Sequence, residues 1–195
     1  MKKFGVDRYV ADYRVVEYTN EKGKVRRKTE YIGAWYVPLI SEQKQRRLHV
    51  FMWIGAFAVF ASILGGLLQH YAAESELYVV LPCAIALLPA FYMILALFAQ
   101  PKIGQKMERM QHEHGYIRIG RSALAVLILV GVGLIGTIVY DILCLNHTVD
   151  KTLGLGDALF FGLMLLAVAL SVFLIAAVRN MEITIEELQS EAAEK

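Results

Sequence analysis

Cysteine and proline are scarce in this chain, with two Cys and four Pro in 195 residues. Cys83 and Cys144 both fall inside apolar stretches. Nothing in the sequence brings their Cα atoms within the roughly 7 Å that a disulfide requires, so both read as reduced packing residues. Chemistry-bearing patterns are missing too. No zinc, Walker, Rossmann or nucleophile-elbow spacing occurs, and no nucleic-acid recognition motif. The expectation is a non-enzymatic protein with no catalytic, cofactor-binding or metal-ligating residues and no nucleic-acid partner. His112 and His114 resemble a metal fragment, but residues two apart on a helix point away from each other. The first apolar stretch begins only at Leu48 and lacks a cleavage site, which argues against a signal peptide and for a retained N-terminus.

What the chain has in quantity is apolar length. Stretches at 48–68, 77–98, 123–145 and 155–178 make up nearly half of it, and 57% of all residues are apolar. Mean hydropathy is +0.48. Each stretch reaches the roughly 20 residues that cross a hydrocarbon core about 30 Å thick. The fold class expected is an all-α integral membrane protein, a bundle of four transmembrane helices with a small N-terminal β-hairpin. Its divisions are an arm at 1–40, the transmembrane domain at 41–180 and an acidic tail at 181–195.

Charge is segregated along the chain. Residues 1–47 carry twelve Lys/Arg against six Asp/Glu, and Lys102, Lys106, Arg109, Arg118 and Arg121 lie between the middle stretches. The short connections instead hold Glu74 and Glu76, or Lys151 alone among cations. The positive-inside rule then places both termini in the cytoplasm, and a bacterial cytoplasmic membrane is the expected location. Asp141 does not spoil the third span. A central Asp costs about 2.5–3.5 kcal/mol on the insertion scale, whereas over a dozen Leu, Ile and Val there each return about 0.3–0.6 kcal/mol.

Small residues recur at helical spacing in Ala58, Ser62 and Gly66, in Gly133, Gly136 and Thr137, in Ala158 and Gly162, and in Ala167 and Ser171. Such stripes let membrane helices approach closely, within one chain or between copies. Pro82 and Pro89 interrupt the second span and predict a bend near Pro89 that frees the Tyr78 and Ile85 carbonyls.

Tyr13–Tyr18 and Lys24–Tyr36 read as a hairpin around Asn20–Gly23. Pairing Tyr18 with Val25 sets Glu17 against Arg26 and Tyr13 against Glu30. Tyr116–Ile119 or Met181–Ile185 is expected to add a strand, giving a small sheet that caps the inner helix ends and buries one hairpin face. Ser41 and Glu42 mark a helix start. Ile103, Met107 and Met110 predict an amphipathic extension of the second helix, or a helix lying on the membrane surface, ended by Gly115. Thr184 and Glu187 have capping-box spacing for a short final helix, and Asp157 fits the N-cap of the fourth span.

Candidate functional residues follow from cost. A carboxylate within a span is expensive, which singles out Asp141, with Tyr140 beside it and Pro89 as the break in the neighbouring span. His70, Glu74, Glu76, His147, Asp150 and Asp157 share its end of the molecule. Lys22, Lys24, Arg26, Arg27 and Lys28 form the densest basic cluster, a candidate contact for the lipid bilayer or a protein partner. The expected function is an accessory or assembly subunit that binds another membrane protein or itself. The alternative is a small oligomeric transporter or channel using the Pro89 kink and Asp141.

Overall fold

The computed structural model describes residues 7–19, 25–146 and 154–186. In chain order it runs α1 (Asp7–Val10), β1 (Tyr13–Thr19), β2 (Val25–Tyr31), β3 (Trp35–Pro38), α2 (Glu42–Leu67), α3 (Leu77–Phe98) and α4 (Arg109–His112). A π-helical turn (Glu113–Ile117), α5 (Arg118–Leu145), α6 (Leu155–Arg179) and β4 (Ile183–Glu186) follow. The chain is mostly helical, with a small N-terminal hairpin. Four helices are long and apolar enough to cross a membrane, an architecture compatible with a multi-pass membrane protein. α2 begins directly after Ser41, as the sequence signal predicts, although the Ser41 side chain makes no cap bond.

The helix starting at Arg109 runs unbroken to Leu145 over 37 residues. At 1.5 Å per residue that is about 55 Å, so its first turns project beyond the apolar stretch. Two expectations fail here. α3 stops at Phe98 rather than continuing, because Pro101 has no N–H to donate and drives the residue before it out of the helical region. Gly115 does not end a helix either. It lies buried within the π turn, against Gln100. Met107 sits fully buried outside any helix, and its backbone exchanges two 2.9 Å hydrogen bonds with Tyr36.

Small residues let the helices close on one another. A Cβ on Gly133 of α5 would stand 2.4 Å from Cys83 Sγ and 3.3 Å from the Val79 carbonyl oxygen of α3. Replacing Gly133 with Val is expected to push these helices apart and cost about 1–3 kcal/mol of overpacking, read as a lower melting temperature in detergent; an unchanged melt would contradict this contact. Gly66 of α2 meets Met164 and Phe160 of α6 in the same way. Buried hydroxyls bond within their own helices, Thr137 Oγ1 donating to the Gly133 oxygen at 3.0 Å and Ser171 Oγ to the Ala167 oxygen at 2.8 Å. Three of the small-residue stripes therefore pack inside the chain, while Ala158 and Gly162 face outward.

Between the helices lie Met52, Val59, Ala86, Met93, Val130 and Met164, all fully buried. The outward faces are apolar as well, with Leu88 67% and Ile135 64% exposed. An apolar exterior of this kind is compatible with helices that cross a membrane.

The strands depart from the sequence reading in several ways. β1 and β2 pair one residue further along than expected, with Tyr18 opposite Arg26, Glu17 opposite Arg27 and Tyr13 opposite Tyr31. This register sets two opposite-charge pairs and one aromatic pair across the ladder, where the expected one offers a single charge pair. The second strand ends at Tyr31 rather than Tyr36, and Trp35–Pro38 forms a separate strand paired antiparallel with β4. Thr184 thus lies in a strand rather than a helix, and Glu187 lies outside the described residues. Tyr116–Ile119 is helical. The hairpin is not half-buried: every residue from Arg14 to Thr19 and from Val25 to Glu30 is exposed.

Candidate functional site

The arm joins the bundle through the base of its hairpin. Tyr31 is the one buried hairpin residue among those described. Its ring meets Tyr13 at 5.2 Å and Trp35 at 5.0 Å, both edge-on, the favoured geometry for aromatic pairs. Its hydroxyl donates to the Ala34 oxygen at 2.9 Å and accepts the Arg109 N–H at 3.0 Å, satisfying an otherwise orphan donor at the helix start. Beside it the Tyr13 hydroxyl donates to Glu108 Oε2 at 2.6 Å and the Tyr9 hydroxyl to Glu113 Oε2 at 2.9 Å. Arg109 Nε donates to Glu113 Oε1 at 3.1 Å, and its Nη1 lies 3.9 Å from Asp12 Oδ2.

His112 and His114 are placed by this docking. The His112 ring stacks on Tyr36 at 4.5 Å, and His114 lies 5.9 Å from the Tyr9 ring and 2.7 Å from an Arg118 nitrogen. Lys106 contacts Glu186, tying the α3–α4 connection to β4. Among the described residues no three His, Cys, Asp or Glu side chains gather in metal-binding range.

Two phenols here titrate late. The hydrogen bond to Glu108 and burial push Tyr13 up from 10.0 to about 12. Burial raises Tyr31, partly opposed by the Arg109 N–H. A raised pKa means that the folded arm holds the neutral phenol more tightly than the unfolded one. Tyr13 therefore contributes its full stability below pH 10.0 and loses it as the pH climbs through about 12. Tyr13→Phe is expected to remove one late step from the alkaline phenolate titration and to cost about 1 kcal/mol of arm stability at neutral pH. Loss of a step near pH 10.0, the ordinary value for a phenol, in place of the late step would refute the Tyr13–Glu108 bond.

Of the basic cluster, Arg26, Arg27 and Lys28 lie exposed on β2, whereas Lys22 and Lys24 lie outside the described residues. Arg27 Nε donates to Glu17 Oε1 at 2.8 Å across the strand pair. Sequence reading missed the docking residues Tyr9, Tyr31, Glu108 and Glu113, because contacts between Tyr9 and Glu113, 104 positions apart, leave no local pattern.

The far end carries the carboxylates. Asp157 stands in the first turn of α6 rather than at its N-cap, which is Gly154. Its Oδ2 accepts the Gly154 N–H at 2.7 Å, and its Oδ1 accepts the Ala72 N–H at 2.6 Å, fastening the α2–α3 connection to α6. Next to this bond Tyr71 stacks on Phe160 at 4.0 Å. Burial raises the Tyr71 phenol to about 12. Tyr140 is buried on α5, and Asp141 is half-buried with Oδ1 sealed from solvent and without a hydrogen-bond partner among the described residues.

Pro89 is not brought to this end. Gly136 is level with Tyr78 and Val79. Asp141 lies five residues beyond Gly136, and Pro89 ten residues inward from Val79, a separation of about 23 Å along the bundle. His147 and Asp150 lie outside the described residues. No protein-family model, no curated protein and no solved structure matches this chain.

Proposed function

We propose that the chain is an integral membrane protein with both termini in the cytoplasm, acting as a non-enzymatic accessory or assembly subunit that binds another membrane protein through its arm and its outward helix faces. The observation that carries this reading is the hairpin, clamped at its base by Tyr13, Tyr31, Glu108 and Arg109 yet bare on both faces. A lone two-stranded hairpin is marginal in water. A rigid mount with an uncovered arm is the arrangement of a part that completes its contacts elsewhere. The orientation is supported by charge: Arg46, Arg47, Arg121 and Arg179 flank the spans at the arm end, while the far end has no Lys or Arg among the described residues.

Affinity capture in mild detergent tests the proposal. The unsubstituted protein should bring down one membrane protein in near-equal amount, and Tyr31→Ala, which frees the arm, should lose it. Capture of nothing, or equal capture by both, would count against a subunit role. The second reading, a small oligomeric transporter or channel, draws on Asp141 Oδ1, which is without a partner among the described residues. It is weakened by the largely apolar interior of the bundle and by the distance from Asp141 to Pro89. Purified protein in liposomes that moves neither ions nor solutes would dispose of it.

A further inference from the structure

The two faces of the hairpin differ in charge. On one, Glu17 and Arg27 neutralise each other at 2.8 Å, and the base is buried against Trp35. On the other, Arg14, Val16 and Tyr18 stand opposite Glu30, Lys28 and Arg26. Three cations oppose one anion there, around Tyr18 45% exposed and Val16 37% exposed. A cationic surface bearing an aromatic and an aliphatic side chain has the chemistry of the polar layer of a bilayer.

The mount stands at the matching height. α3 ends at Phe98, and Gly115 lies against Ala99 and Gln100 just past it, so this level marks where the two helices leave their apolar stretches. Glu113 and Glu108 precede Gly115 by two and seven residues, about 3–10 Å along the axis, a range that overlaps a headgroup layer about 5–8 Å thick. A seven-residue strand extends about 23 Å from that point, enough to lie along the membrane surface.

We propose that the Arg14, Tyr18, Arg26 and Lys28 face of the hairpin docks on the headgroups of anionic phospholipids in the membrane that holds the bundle. This rests on the membrane placement proposed above and not on the protein partner. The test compares the full-length protein in nanodiscs of phosphatidylcholine with nanodiscs in which part of the lipid is phosphatidylglycerol, reading amide exchange in residues 14–18 and 26–30. Anionic lipid is expected to slow exchange there roughly tenfold, with no change in α3. Added salt is expected to abolish the slowing. Arg14→Gln with Lys28→Gln, which leaves the Glu17–Arg27 pair in place, should lose the lipid dependence, and exchange in phosphatidylcholine equal to that of the parent shows that the hairpin remains formed. Equal exchange in the two lipids, or a slowing indifferent to salt, overturns the proposal. Both leaflets of a nanodisc carry the same lipid and no other protein is present, so the outcome is independent of topology and of any partner.

Discussion

Gly156→Ala is expected to destabilise the far end of the bundle by about 3 kcal/mol or more. A Cβ there would stand 1.8 Å from the His70 carbonyl oxygen and 3.0 Å from its carbonyl carbon. Both atoms are backbone, so no side chain can swing aside. Either the α2–α3 connection lifts or the first turn of α6 unwinds. Lifting breaks the 2.6 Å bond from the Ala72 N–H to Asp157 and the Tyr71–Phe160 stack, which hold that connection down. The reporter is Cys144, buried near the same end of α5. Its reaction with a thiol reagent in detergent should accelerate and the melting temperature should fall. Gly162→Ala is the control, since nothing lies within 4 Å of its added Cβ and alanine is the better helix former; it should be neutral or mildly stabilising. Equal behaviour of the two variants would show that the close approach at Gly156 does not exist.

The contrast between these glycines illustrates what the sequence made legible. Helix positions came from the length of the apolar stretches, a signal that depends on local composition alone, and the observed helices begin and end within a few residues of it at most boundaries. Small-residue spacing located the close contacts but not their partners. Gly133 and Gly66 face inward and Gly162 outward, a distinction fixed by which neighbour each helix meets. The hairpin was legible as a hairpin and wrong by one residue in register. Register there follows from a base anchored on α4 by Tyr31 and Tyr13, and those contacts join positions 78 and 95 apart. Met107 fell on a helical period by coincidence; Pro101, six residues earlier, ended the helix and left Met107 to pair with Tyr36. Asp141 was singled out by its cost in a span, and its sealed Oδ1, without a partner among the described residues, accords with that cost, but the sequence held no measure of how far Pro89 stands from it.

Tyr31→Ala should detach the arm while leaving the bundle intact. The substitution removes the ring that joins Tyr13 and Trp35, the acceptor for the Arg109 N–H and the donor to the Ala34 oxygen. Truncating a buried aromatic costs about 3–5 kcal/mol, and a hairpin bare on both faces has little stability of its own to set against that. Amide exchange in residues 13–19 and 25–31 is therefore expected to rise to near unprotected rates, whereas α3 and α5 keep their protection and the melt of the bundle stays within about 0.5 kcal/mol of the parent. Tyr31→Phe separates the two contributions. It keeps the ring and loses only the hydroxyl, leaving the part-buried Arg109 N–H without its acceptor at a cost of about 1 kcal/mol, so its arm should exchange at an intermediate rate. The ordering of parent, Phe and Ala variants is the quantity to measure. If Tyr31→Ala retained the parent's protection, the hairpin would be held by something other than its base, and neither an arm presented to a partner nor one resting on lipid would need the Tyr31 anchor.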